Sequence, residues 1–149
     1  MTQKEFIEVL EEKGYSYEIE GDKIIVTYKD RVDLRDLTSL PPDVEFKCGW
    51  YVNLSDLTSL SSGVKFENGG DVYLYVLTSL SPGVEFKNSQ NVWLDSLTSL
   101  PPGVVFKNGW NVNLRDLIGE WFDDWEGNIE GVTSKRLLNL MIKRGIFER

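Results

Sequence analysis

The segment Leu37-Thr38-Ser39-Leu40 returns at Leu57–Leu60, Leu77–Leu80 and Leu97–Leu100, twenty residues apart each time. A fixed period of this length restricts a chain to architectures in which one structural unit stacks on the next. Aligned on the period, six columns are almost constant. Val32, Val52, Val72, Val92 and Val112 form the first, and Leu34, Leu54, Leu74, Leu94 and Leu114 the second. Leu37, Leu57, Leu77, Leu97 and Leu117 follow, then Leu40, Leu60, Leu80 and Leu100. Val44, Val64, Val84 and Val104 precede Phe46, Phe66, Phe86 and Phe106. Each column stacks on itself and faces one continuous core.

Val-x-Leu and Val-x-Phe alternate with period two, which predicts two short inward-facing strands per coil. The Leu-Thr-Ser-Leu step has spacing three and predicts a 3₁₀ or irregular turn. Pro42-Asp43, Pro82-Gly83 and Pro102-Gly103 carry type II turn chemistry at one corner. Asn68-Gly69 and Asn108-Gly109 mark another, where Cys48 and Asn88 share the register. The expected fold is therefore mainly β: a short, five-coil parallel solenoid, leucine-rich-repeat-like or a β-solenoid. At a rise of about 4.8 Å per coil it is roughly 24 Å long.

A solenoid needs caps at its open ends. Thr2-Gln3-Lys4-Glu5 matches a capping box before the apolar stripe Phe6, Ile7, Val9 and Leu10. Gly14 ends that helix, and Gly21-Asp22 joins two alternating runs as a β-hairpin. At the far end, Thr133 or Ser134 opens a helix carrying Leu137, Leu138, Leu140, Met141 and Ile142, with Gly145 as its C-terminal cap. This divides the chain into a helix–hairpin N-terminal cap (1–31), the repeat solenoid (32–117), and an acidic-aromatic loop with an α-helical C-terminal cap (118–149). The three form one folding unit.

Leu37–Pro41 and Leu97–Pro101 resemble leucine-rich repeats, with Ser61 and Ser81 replacing the proline in other coils. Leucine-rich repeats place Asn or Cys three residues after the second strand leucine; this chain places Leu37, Leu57, Leu77, Leu97 and Leu117 there. The phrases LTSLP and GVEFKNG and the closing RLLNLMIKRGIFER are similar to uncharacterised repeat proteins of bacteria and their phages. That resemblance implies the repeat fold and brings no established activity with it.

The formal net charge is −8. It disfavours direct nucleic-acid binding and attraction to anionic membrane, and it suits a protein partner with a basic surface. Lys47, Lys65, Lys87 and Lys107 interrupt the acids along the repeats, against wholesale mimicry of nucleic acid. One cysteine excludes an internal disulfide framework. Neither a secretory leader nor an apolar run of membrane-spanning length is visible, so a cytoplasmic protein is expected.

The absence of histidine removes Ser-His-Asp and Cys-His chemistry and every His-containing zinc site. No Walker-type or dinucleotide-binding glycine motif occurs. The expectation is a non-enzyme without cofactor, metal or catalytic residues.

Positions between the inward columns point outward. They are Asp33, Asn53, Tyr73, Trp93 and Asn113, followed by Arg35, Ser55, Tyr75, Asp95 and Arg115. Tyr73, Tyr75 and Trp93 fall on adjacent rungs and predict an aromatic patch, either a stabilising ladder or a contact face. The partner-binding set is Tyr73, Tyr75, Trp93, Asp95, Arg35, Arg115, Asn53 and Asn113. Trp50 and Trp110 share a corner register and are expected to cover the ends of the array. A secondary acidic surface comprises Glu120, Asp123, Asp124, Glu126 and Glu130, alongside Trp121, Phe122 and Trp125, which could plug the last coil.

The leading expectation is a protein-binding scaffold, with a phage-encoded inhibitor of a host defence complex as its narrower form. The alternatives are a carbohydrate-binding module and a structural protein that self-associates, for instance as a homodimer.

Overall fold

The computed structural model describes residues 1–99, 101 and 103–116. The strands are β1 (Tyr17–Glu20), β2 (Lys23–Val26), β3 (Val32–Asp33), β4 (Val44–Phe46), β5 (Val52–Asn53) and β6 (Lys65–Phe66). They continue as β7 (Val72–Tyr73), β8 (Glu85–Phe86), β9 (Val92–Trp93), β10 (Val105–Phe106) and β11 (Val112–Asn113), after one helix, α1 (Gln3–Lys13). From β2 onward, even and odd strands separate into two sheets. One runs β1-β2-β4-β6-β8-β10 and is called sheet A below; sheet B runs β11-β9-β7-β5-β3. The result is a β-solenoid of about 4 turns. Expectations for Leu100, Pro102, Leu117 and residues 118–149 lie outside the described residues. These include the fifth coil's completion, the C-terminal helix, the plug and the acidic surface.

The register is the sequence period. Val32 pairs with Val52, Val52 with Val72, Val72 with Val92, and Val92 with Val112. In sheet A, Phe46, Phe66, Phe86 and Phe106 pair in turn. Their rings stack with centroids 5.2, 5.2 and 5.1 Å apart and planes within 7° of parallel. That distance is close to the spacing of neighbouring strands, so one backbone geometry satisfies both the ladder and the rings. The Leu-Thr-Ser-Leu step is entered by a tight turn. The amides of Leu37, Leu57, Leu77 and Leu97 each donate to the leucine carbonyl three residues back. Thr58 and Thr98 then donate hydroxyls to the Thr38 and Thr78 carbonyls of the preceding coil.

The corners explain two further columns. Asn68, Asn88 and Asn108 are buried. Asn68 Nδ2 donates to the carbonyls of Trp50, Gly70 and Asp71, and Asn88 and Asn108 repeat the bracket with two carbonyls each. Backbone acceptors turned inward at a bend need such donors. The asparagine column sought after the strand leucines by analogy with leucine-rich repeats thus stands two residues after the phenylalanines. Cys48 occupies it in the first coil. At the opposite corner Gly63, Gly83 and Gly103 have φ of 73°, 82° and 82°, and Asp43 takes the same left-handed conformation at 59°.

The N-terminal elements join this frame. Thr2 Oγ1 accepts the Glu5 amide at 3.1 Å, while the Glu5 carboxylate accepts the Thr2 hydroxyl instead of its amide, so the box closes on one side. Gly14, at φ 75°, ends α1, and the Tyr15 amide reaches the Leu10 carbonyl as in a Schellman cap. Phe6 and Leu10 enter the core. The hairpin does more than precede the coils. Ile24 pairs with Val44 and Val26 with Phe46, in parallel, so β2 is an additional rung of sheet A. Sheet A therefore begins one strand pair earlier than sheet B.

Two substitutions separate packing from backbone conformation. Phe66→Ala removes the middle of the ring stack and is expected to cost about 3–5 kcal/mol. Gly83→Ala meets no atom within 4 Å, so its expected loss of roughly 1–2 kcal/mol is conformational alone. Urea unfolding followed by far-ultraviolet circular dichroism measures both.

Candidate functional site

Sheets A and B expose outer faces of opposite character. On sheet A the outward positions alternate in charge: Glu45, Lys65 and Glu85 in one column, Lys47, Glu67 and Lys87 in the next. Lys65 meets Glu85 at 3.2 Å; Lys47 reaches Glu45 at 3.9 Å and Glu67 at 3.7 Å. Lys87 approaches Glu85 at 3.8 Å, and Lys23 pairs with the buried Glu45 at 3.0 Å. Opposite charges on these neighbouring rungs satisfy one another, whereas the exposed Lys107 on the next rung makes no ion pair among the described residues.

Sheet B carries three outward columns. Arg31, Tyr51, Asp71, Asn91 and Asn111 come first; Asp33, Asn53, Tyr73, Trp93 and Asn113 second; Arg35, Ser55, Tyr75, Asp95 and Arg115 third. The structure brings Tyr73, Tyr75 and Trp93 together as the alternation predicted. Ring centroids lie 5.6 Å apart for Tyr73–Tyr75 and 6.1 Å for Tyr75–Trp93. Tyr51 extends the cluster, edge-on to Tyr73 at 5.6 Å. Tyr73 and Trp93 are half-buried, and Tyr75 and its neighbour Val76 are exposed.

Asp71 organises this cluster. Its Oδ1 accepts the Asn91 amide at 2.8 Å, one rung on. Its Oδ2 accepts the Trp93 indole N–H at 3.3 Å and the Tyr73 hydroxyl at 3.4 Å. Burial, then the Asp71 charge, pushes Tyr73 up to about 12. Tyr75 is raised too, by burial first and then by Asp95 and Asp71. Asp95 itself is raised by burial, which outweighs the pull of Arg115, and its buried Oδ1 has no hydrogen-bond partner among the described residues. Sequence reasoning missed Tyr51, Asp71 and Arg31. Their signal was available two residues before the aromatic column, in the same outward register.

Other predicted contact residues have local duties. Asp33, Asn53 and Asn113 each accept the backbone amide two residues on with Oδ1, at 3.2, 3.0 and 3.2 Å. These are Asx turns that close the strand end. Asn113 is only 7% exposed, so it does not present a free contact surface. Arg35 is held by Asp33 through Nε at 3.0 Å and Nη2 at 2.7 Å. Arg115 lies beside Asp116 at 3.6 Å. Each arginine stands two rungs from Tyr75, roughly 10 Å along the ladder, so the pair flanks the aromatic patch. Trp50 and Trp110, expected as end covers, point outward at the corner and are 46% and 60% exposed.

Cys48 is buried, and desolvation pushes its thiol up to about 11. Among the described residues no group of three or more His, Cys, Asp or Glu could hold a metal ion. No helix among them is long and apolar enough to cross a membrane. No family model matches the chain, and no curated protein or solved structure matches it either.

The raised groups give two solution predictions. Tyr73 is protonated more tightly in the folded state than at the ordinary tyrosine value of about 10, so its contribution to stability is intact below pH ~10 and lost towards its folded value. Ultraviolet titration should show one phenol ionising near pH 12, and Asp71→Asn should move it down. Cys48 should react slowly with a disulfide reagent at pH 8 and become fast once urea unfolds the chain.

Proposed function

We propose that the chain is a non-enzymatic protein-binding scaffold that docks its partner across the Tyr73–Tyr75–Trp93 face of sheet B. One observation carries this reading. Asp33, Asn53 and Asn113 spend their side chains closing the strand-end turn, and the two central coils give up that bond for Tyr73 and Trp93. Large aromatics in place of a turn-closing residue serve something other than the local backbone. Tyr and Trp concentrate binding energy where they are rigidly held, and Asp71 holds both here. A preformed solenoid face also loses little conformational freedom on binding.

The chemistry of the patch favours a basic side chain on the partner. Asp95 places negative charge near Tyr75, and aromatic faces attract a cation. The net charge of −8 adds long-range attraction for such a surface. The resemblance to repeat proteins of bacteria and phages makes inhibition of a host defence complex the narrower form of the proposal.

Affinity capture from bacterial lysate, with the folded Tyr73→Ala/Tyr75→Ala/Trp93→Ala variant as control, tests the face. The protein recovered is then titrated calorimetrically. Trp93→Ala alone is expected to weaken affinity at least about thirtyfold, in line with a 2 kcal/mol hot spot. Equal affinity for both forms would remove the assignment. Concentration-dependent sedimentation of the chain alone, abolished by the same variant, would make self-association the function instead.

A further inference from the structure

The extra strands of sheet A leave a step at the first-coil end of sheet B, and a cavity of about 480 Å³ lies there. It adjoins the aromatic face through Tyr51, which lines the cavity and also packs edge-on to Tyr73. Its polar groups divide into occupied and open ones. Asp33 is fully engaged: Oδ1 takes the Arg35 amide, and Oδ2 takes Nε and Nη2 of the Arg35 guanidinium. Tyr15 is engaged as well, its hydroxyl accepting the Asp33 amide at 3.0 Å. Asp30 takes the Arg31 amide at 2.8 Å through one carboxylate oxygen.

Apart from the second Asp30 carboxylate oxygen, the open groups can all donate. The exposed Arg31 guanidinium makes no ion pair or hydrogen bond among the described residues. The hydroxyls of Tyr28 and Tyr51 make none there either. A guanidinium with two phenols on one concave surface supplies forked and single donors to a group bearing several acceptor oxygens. We propose that this cavity binds an oxyanion, a carboxylate or phosphate, carried on a side chain of the partner that covers the aromatic face. The cavity chemistry stands alone, whereas delivery of the group by a protein rests on the docking reading above. The partner then presents a cation towards Asp95 and an anion towards Arg31, about three rungs or roughly 14 Å apart. Such a charge order fixes the direction in which the partner lies along the solenoid.

The test uses the full chain at low ionic strength, where screening is weak. O-phospho-L-tyrosine, inorganic phosphate and N-acetyl-L-glutamate are the probes, with N-acetyl-L-lysine amide as the cationic control. Binding is followed by NMR of the arginine Nε–H and tyrosine ring signals. The anions are expected to shift Arg31, Tyr28 and Tyr51, and Arg31→Gln to weaken them at least about tenfold without changing the unfolding midpoint. Asp30→Asn, which removes the competing charge, is expected to tighten them. Trp93→Ala should leave these probes unaffected, so the cavity and the docking face are tested separately. Preference for the phosphorylated probe identifies a phosphorylated side chain, and equal binding of glutamate an acidic one. Absence of shifts at Arg31, Tyr28 and Tyr51, equal binding by Arg31→Gln, or preference for the lysine probe would overturn the proposal.

Discussion

The in-register parallel ladder is the constraint on which the rest of the molecule depends. From β3 onward its strands are only two or three residues long, too short to hold together singly. They persist because each rung repeats the one before it, so backbone bonds and phenylalanine rings meet at the same spacing. A residue that breaks either match disturbs both neighbours. That is why the inward columns vary so little, and why the corners recruit buried asparagines and left-handed glycines to return the chain by one rung.

The ladder also converts sequence columns into surface columns. On sheet A this produces an alternation of lysine and glutamate that closes on itself across rungs. On sheet B it produces a polar surface interrupted by one aromatic cluster, anchored on Asp71. The two faces share a scaffold and a spacing, and they differ in whether neighbouring side chains satisfy each other. From Lys23 to Lys87 the charged face is largely paired with itself. The aromatic face retains exposed ring surface at Tyr75, beside the exposed Val76.

The hairpin shows how a repeat can extend beyond its obvious motif. Ile24 and Val26 lie twenty residues before Val44 and Phe46 and take the same places in the sheet, although no Leu-Thr-Ser-Leu segment precedes them. Because the corresponding rung of sheet B is missing, the two sheets end at different levels. The cavity between Tyr28, Arg31 and Tyr51 is a consequence of that offset.

By itself the sequence determined the coil period, the inward columns, the corner chemistry, the N-terminal helix and hairpin, and the outward grouping of Tyr73, Tyr75 and Trp93. The columns and the outward grouping follow from periodicity, which states which residues share a column and which side of a strand they occupy. The corners, helix and hairpin follow from local capping and turn residues. Tertiary structure decided what those outward residues bond to. It turned Asn53 and Asn113 from contact residues into turn-closing ones, made Asp71 the anchor of the aromatic cluster, and set Arg31 beside two tyrosines at the solenoid's step. The physical reason is that a hydrogen bond depends on distances of tenths of an ångström between rungs and at corners. A repeat fixes the order of its columns, and only the folded backbone fixes those distances.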